Sequence, residues 1–222
     1  MSATDRSPGT ATPAPAPGRR ERRKRTTRQA LEEAALVLFA RDGFDATTVE
    51  AIAERAEVSP RTFFRYFAAK EEVLDMGWAE RRERLARLVR EAPAVADDLA
   101  AAVAALEGIA VDFEAERHRV VLRAAAVASS SALRGRTADT LTAWEATLAE
   151  GLAARRGLDA PDEEAGVAAA VAVALWRWAI RRWAASAADH AATDPVEPRG
   201  DAPGGVPLRE LLQRAAAHLG TT

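Results

Sequence analysis

Apolar side chains recur along the chain at three- and four-residue intervals, and no segment carries the two-residue alternation of a strand. Leu31, Ala35, Leu38 and Phe39 mark the stripe of a first helix ending near Gly43, with Phe44 expected to fold back against it. Val49, Ile52, Ala53 and Ala56 give one face of a short second helix. Thr47 and Glu50 have capping-box spacing, so that helix is expected to begin at Thr48. Ser59 is a second N-cap and Pro60 a first-turn proline, opening a third helix with Val58 in the corner before it. From Lys70, the residues Val73, Leu74, Trp78, Leu85 and Leu88 are expected to continue as a fourth helix that Pro93 ends. Later stripes predict a fifth helix through Leu99 and Leu106, a sixth through Val120 and Val127, and a seventh from Leu141 to Gly157. An eighth opens at Asp162 and runs to about Ala188, and a last one follows through Leu208, Leu212 and Leu219. The pattern predicts an all-α fold.

The third helix has two unlike faces. At about 100° per residue, with Arg61 at zero, Arg65, Thr62 and Tyr66 fall at roughly 40°, 100° and 140°. Phe63 and Phe67 fall at roughly 200° and 240°, and Phe64 near 300°, beside Arg61. Two phenylalanines therefore anchor the helix while Arg61, Thr62, Arg65 and Tyr66 project together. A solvated surface would leave Tyr66 and Phe64 exposed to no purpose. A DNA major groove uses each group: guanidinium on guanine or phosphate, Thr62 on a base edge, phenol on phosphate. Two short helices, a tight turn and a basic outer face make a helix-turn-helix. Thr47 and Thr48, with the free amides after them, suit a phosphate. Lys70 is placed to reach the DNA backbone from the far side of the groove. The run Arg19-Arg20-Glu21-Arg22-Arg23-Lys24-Arg25, with Arg28, is expected to precede the first helix as an arm that follows phosphates or enters the minor groove.

Residues 22 to 75 closely resemble the N-terminal domain of the TetR family of transcriptional regulators. The resemblance is carried by Phe39 through Phe44, by Thr47-Thr48 with Ile52-Ala53, and by Val58-Ser59 with Thr62-Phe63-Phe64, Tyr66-Phe67 and Lys70-Glu71-Glu72. It implies that Thr48, Ser59, Arg61, Thr62, Phe64, Tyr66 and Lys70 approach DNA. Three positions depart from the family pattern: Glu57 stands where glycine is common in the turn, Pro60-Arg61 where Lys-Gly is common, and Phe64 where tyrosine is frequent. A left-handed residue at Glu57 would cost about 1 kcal/mol, and base preference cannot be carried over.

Charge sharpens this division. The whole chain of 222 residues has a formal charge of −2, yet residues 19–70 carry 12 Lys/Arg against 8 Asp/Glu. Residues 71–222 carry 18 against 24, so positive charge gathers at the reader and the remainder is acidic. Three segments are expected: a disordered tail over 1–18, a DNA-binding domain over 19–70, and a helical effector-binding and dimerisation domain over 71–222. The Pro- and Gly-rich stretch 193–207 reads as a mobile loop.

The eighth helix is apolar nearly all round, through Val167, Val171, Leu175, Trp176, Ile180 and Trp183, as in a helix buried on more than one side. The family resemblance implies that the last two helices form a four-helix homodimer interface and that helices four to eight enclose a small-molecule effector. Phe113, His118, Trp144, Trp176 and Trp178 are candidate liners, none more specific than ordinary core. No signal-peptide core appears, and the longest apolar run, about 12 residues, is too short to span a bilayer, so a cytoplasmic protein is expected. The chain has no cysteine, His118, His190 and His218 share no metal-ligand spacing, and no Gly-rich phosphate loop or nucleophile motif occurs. Enzyme, metal and cofactor roles are not expected. The family resemblance implies a homodimeric repressor released from palindromic duplex DNA by a small molecule.

Overall fold

The computed structural model describes residues 18–75, 77–93, 96–193 and 205–219. The tail expected over 1–18 lies outside these residues but for Gly18, and of the loop expected over 193–207 residues 194–204 lie outside them. Among the described residues there is no strand. The helices are α1 (Arg19–Asp42), α2 (Val49–Arg55), α3 (Pro60–Phe64), α4 (Trp78–Arg90), α5 (Asp98–Ala115), α6 (Arg117–Ser129), α7 (Ser131–Arg155), α8 (Glu163–Thr193) and α9 (Leu208–Leu219). A 3₁₀ turn (Lys70–Leu74) lies between α3 and α4.

Three boundaries differ from the sequence pattern, each for a local reason. The basic run does not precede α1; it forms its first turns. Arginine and lysine favour helix, and Thr26 and Thr27 bend their hydroxyls onto the Arg22 and Arg23 carbonyls at 3.0 Å. The cap of α2 is Thr48, whose Oγ1 accepts the Ala51 amide at 3.1 Å, so the Thr47–Glu50 capping box does not form. The fourth helix is interrupted. Gly77 takes a left-handed φ of 70°, and Asp75 Oδ1 accepts the Trp78 amide at 3.0 Å, so α4 starts afresh at Trp78.

Two buried clusters organise the chain. One joins Leu31, Ala35, Leu36 and Phe39 of α1 to Phe44, Ile52, Phe63, Phe67 and Leu74, and takes in Ala126 of α6 and Leu133 of α7. The larger cluster packs α4, α5, α7, α8 and α9 around Leu85, Val89, Leu106, Ile109, Leu148, Trp176, Trp183 and Leu212. Arg81, Glu116, Arg119, Glu32 and Arg28 form a chain of ion pairs at 2.7, 3.3, 2.8 and 2.9 Å that runs from α4 through α6 to α1. It bridges the two clusters.

Helices α4 and α7 approach closely because Gly151 has no side chain. A Cβ there would lie 2.1 Å from Cγ1 of the fully buried Val89. Gly151→Ala is expected to destabilise the protein by about 1–3 kcal/mol through overpacking, seen as a lower melting temperature by circular dichroism.

Candidate nucleic-acid interface

The turn ahead of α3 sets its direction. Ala56 ends α2, and Glu57 follows in left-handed conformation with φ 54°. The Val58 amide reaches the Ala53 carbonyl at 2.9 Å and the Glu57 amide the Glu54 carbonyl at 3.0 Å, the paired bonds of a Schellman closure. Ser59 then caps α3, with Oγ accepting the Thr62 amide at 3.2 Å and lying 3.0 Å from the Thr62 hydroxyl. Regular α-helix is only five residues long. The amides of Tyr66 and Phe67 still bond the Phe63 carbonyl at 2.8 and 3.0 Å, so the face geometry continues past Phe64.

Phe63 and Phe67 are fully buried, their rings 5.4 Å apart, and the opposite side of α3 is free. Arg61 and Arg65 are exposed, and Thr62 and Tyr66 are half-buried. Phe64 is 56% exposed, unusual for so large an apolar group. The Arg65 guanidinium rests 5.1 Å from the Tyr66 ring centre, which holds both groups at one edge of the face.

Two expected contacts are placed otherwise. Thr47 is buried at 4% exposure and donates its hydroxyl to the Gly43 carbonyl at 2.8 Å, so its side chain is turned inward. Lys70 is committed to the fold. Its ammonium donates to the carbonyls of Phe44 and Thr47 at 2.8 and 2.9 Å and lies within 3.4 Å of that of Asp45. It also sits 4.4 Å from the Phe44 ring centre. These carbonyls belong to the loop between α1 and α2, where that of Phe44 also takes the Thr47 amide at 3.3 Å and those of Asp45 and Thr47 take no backbone amide; the lysine's three donors face all three. Thr48 and Ser59 remain exposed.

The helical start of α1 supplies groups that the arm reading did not place. Arg20, Arg23, Lys24 and Thr27 form one wall of an open groove of about 850 Å³, with Glu57, Val58, Thr62, Arg65 and Tyr66 opposite. Their spacing of three, four and seven residues was a legible signal once the run is taken as helix. Glu21 lines it too, so four cations face two carboxylates, and the groove alongside α3 is basic on balance. Among the described residues no group of three or more His, Asp or Glu is placed to hold a metal ion. Glu114 and His118, four residues apart on α5 and α6, have separate partners: Glu114 accepts from Arg209 at 3.1 Å and His118 lies 3.0 Å from Glu33.

The geometry defines a helix-turn-helix of the kind that enters a DNA groove, and comparison with known proteins agrees. Residues 31–75 match the family model described as bacterial regulatory proteins, tetR family. Over this N-terminal segment the chain is similar to the TetR family of transcriptional regulators. It is 53% identical over 72 residues to the HTH-type transcriptional regulator TcmR of Streptomyces glaucescens, covering 32% of each chain. It is 38% identical over 66 residues to the HTH-type transcriptional repressor KstR of Rhodococcus jostii strain RHA1, covering 30% of this chain and 29% of that one. The match spans about a third of the length of these curated relatives. A solved structure from Pseudomonas aeruginosa PAO1 is similar over 89% of this chain and 90% of its own, at 18% identity and a TM-score of 0.50, which shows the fold alone.

Two expected outcomes follow from the turn and the clamp. Glu57→Gly should raise stability by about 1 kcal/mol by relieving the left-handed residue, read from denaturant unfolding. Lys70→Met should lower stability by roughly 1–3 kcal/mol by stranding the loop carbonyls. It should leave the salt dependence of DNA binding unchanged; a shallower slope would return Lys70 to the phosphates.

Proposed function

We propose that this protein is a sequence-specific DNA-binding transcriptional regulator, most simply a homodimeric repressor that a small-molecule effector releases from a palindromic operator. The observation that carries the reading is the outer face of α3, held clear of the core beside the basic groove of α1. In it, Arg61 and Arg65 pair with guanine edges or phosphates, and Thr62 and the exposed Phe64 ring meet base edges and thymine methyls. Tyr66, Ser59 and Thr48 bond phosphate oxygens, and Arg20, Arg23 and Lys24 follow the flanking backbone. Residues 19–70 are the reader and 71–222 the body that senses and pairs. That TcmR and KstR are named as a transcriptional regulator and a transcriptional repressor supports the assignment.

Pairing of two copies is supported by α8. Val167 and Trp178 are 58% and 44% exposed, and their spacing of eleven residues puts them on one side of the helix, about three turns apart. One five-residue reading helix covers few base pairs, and a two-fold pair would double the reading. For an effector, α4 to α8 offer an aromatic closed circuit: Trp78, Phe113, Trp176 and Trp144 lie with ring centres 5.0 to 5.8 Å apart. The indole N–H of Trp144 is buried without a hydrogen-bond partner. Of the other candidate liners, Trp178 faces outward and His118 is at the surface. Among the described residues no helix is long and apolar enough to cross a membrane. A chromosome-binding protein of this kind works in the cytoplasm.

Selection of bound duplexes from random DNA should return a two-fold symmetric site. Arg61→Ala should lose about 1–3 kcal/mol of discrimination at one position in each half-site. Equal weakening on every sequence would remove Arg61 from base reading, and no enrichment at low salt would overturn the function.

A further inference from the structure

A second cavity, of about 170 Å³, lies where the 3₁₀ turn and the start of α4 meet α6 and α7, and Leu74, Trp78, Arg123, Val127, Leu133 and Thr137 are among its lining. Arg123 sets its chemistry. Among the described residues no carboxylate comes within ion-pairing distance of this guanidinium, although the chain's other interior arginines, Arg81 and Arg155, are paired. Its hydrogen bonds are two long ones, Nε to the Leu74 carbonyl and Nη2 to the Thr137 hydroxyl, both at 3.3 Å. The guanidinium lies 4.8 Å from the Trp78 ring centre. Burial pulls it down to about 10, opposed by the charge of Asp75 and aided by that of Arg81, so it stays protonated at neutral pH and short of acceptors. Five donors served by two weak acceptors beside open space is an unfinished anion site.

The acids in the lining do not fill that need. Glu72 accepts the Ala68 amide at 2.8 Å and Asp75 the Trp78 amide at 3.0 Å; with Glu71 they put three carboxylates in the lining beside Arg123 and Arg136, yet none of them is within ion-pairing distance of the Arg123 guanidinium. Leu74, Val127, Leu133 and Trp78 make the rest of the wall apolar. At about 30 Å³ per water, the space matches five or six waters, or one small organic acid.

We propose that this cavity binds a small carboxylate with an apolar body, its carboxylate on Arg123, and that occupation draws the guanidinium off the Leu74 carbonyl. Leu74 ends the 3₁₀ turn that Lys70 begins, and Lys70 holds the loop between α1 and α2. The site therefore lies one short turn from the clamp of the DNA reader. The coupling, though not the site, rests on the DNA-binding reading.

The test uses the full chain with butyrate, hexanoate, octanoate and benzoate, each beside its neutral amide. At least one acid should raise the melting temperature saturably and change tryptophan emission, and its amide should not. Arg123→Gln should weaken that acid on the order of tenfold or more. Because Arg123→Gln could also disturb folding, Val127→Phe, which keeps the guanidinium and fills the space, should abolish the effect. No response to any acid, equal response to acid and amide, or undiminished binding by both variants would overturn the site. With the selected duplex, release by the same acid supports the coupling. A bound acid that leaves DNA affinity unchanged overturns the coupling alone. A protein that binds no duplex overturns the DNA reading and leaves the carboxylate site standing.

Discussion

Everything at the DNA-reading end depends on burying two adjacent rings. Phe63 and Phe67 go fully into the cluster built on α1, worth roughly 1.5–3 kcal/mol each. The helix is too short to be stable alone and holds its shape only because those rings are held. Their burial also decides what is left outside. With one side of a five-residue helix committed to the core, Arg61 and Arg65 can point nowhere except into solvent or a ligand. Arg28 rests 4.7 Å from the Phe67 ring centre and pairs with Glu32, which ties this anchor into the ionic chain leading to α4. Reader and body are thus joined by side chains as well as by the backbone.

Polar demand explains the rest of that end. The loop after α1 gives the Phe44 carbonyl one amide and those of Asp45 and Thr47 none, and the remaining donors come from Lys70, more than twenty residues away in sequence. A lysine in a nucleic-acid-binding domain invites assignment to phosphate. Three internal contacts on one ammonium leave it no capacity for that role. The basic face is supplied instead by the first turns of α1, which lie across the groove from α3.

Much of this was legible in the residues. The two periodicities of three and four, the cap at Ser59, the stop at Gly43 and the unlike faces of α3 are all local properties, and local rules capture them. What escaped was set by distant partners. Thr47 and Thr48 are equally good caps in isolation, and the Gly43 carbonyl decides between them by taking the hydroxyl of Thr47. The clamp of Lys70, the pairing of His118 with Glu33 and the unpaired state of Arg123 each depend on a helix remote in sequence. The basic run reads as an arm because charge masks helical period, although Arg20, Arg23, Lys24 and Thr27 carry it.

The interruption at Gly77 has a mechanical meaning. An unbroken α4 would be a strut, turning any tilt of the bundle into a fixed displacement of the reading head. A universal joint does not do that: its two halves swivel unless something braces them. Here the braces are single side chains, Lys70 on one flank and Arg123 on the other. The stiffness of the connection, and hence how strongly one end feels the other, can therefore be tuned by point substitutions that leave both working surfaces intact.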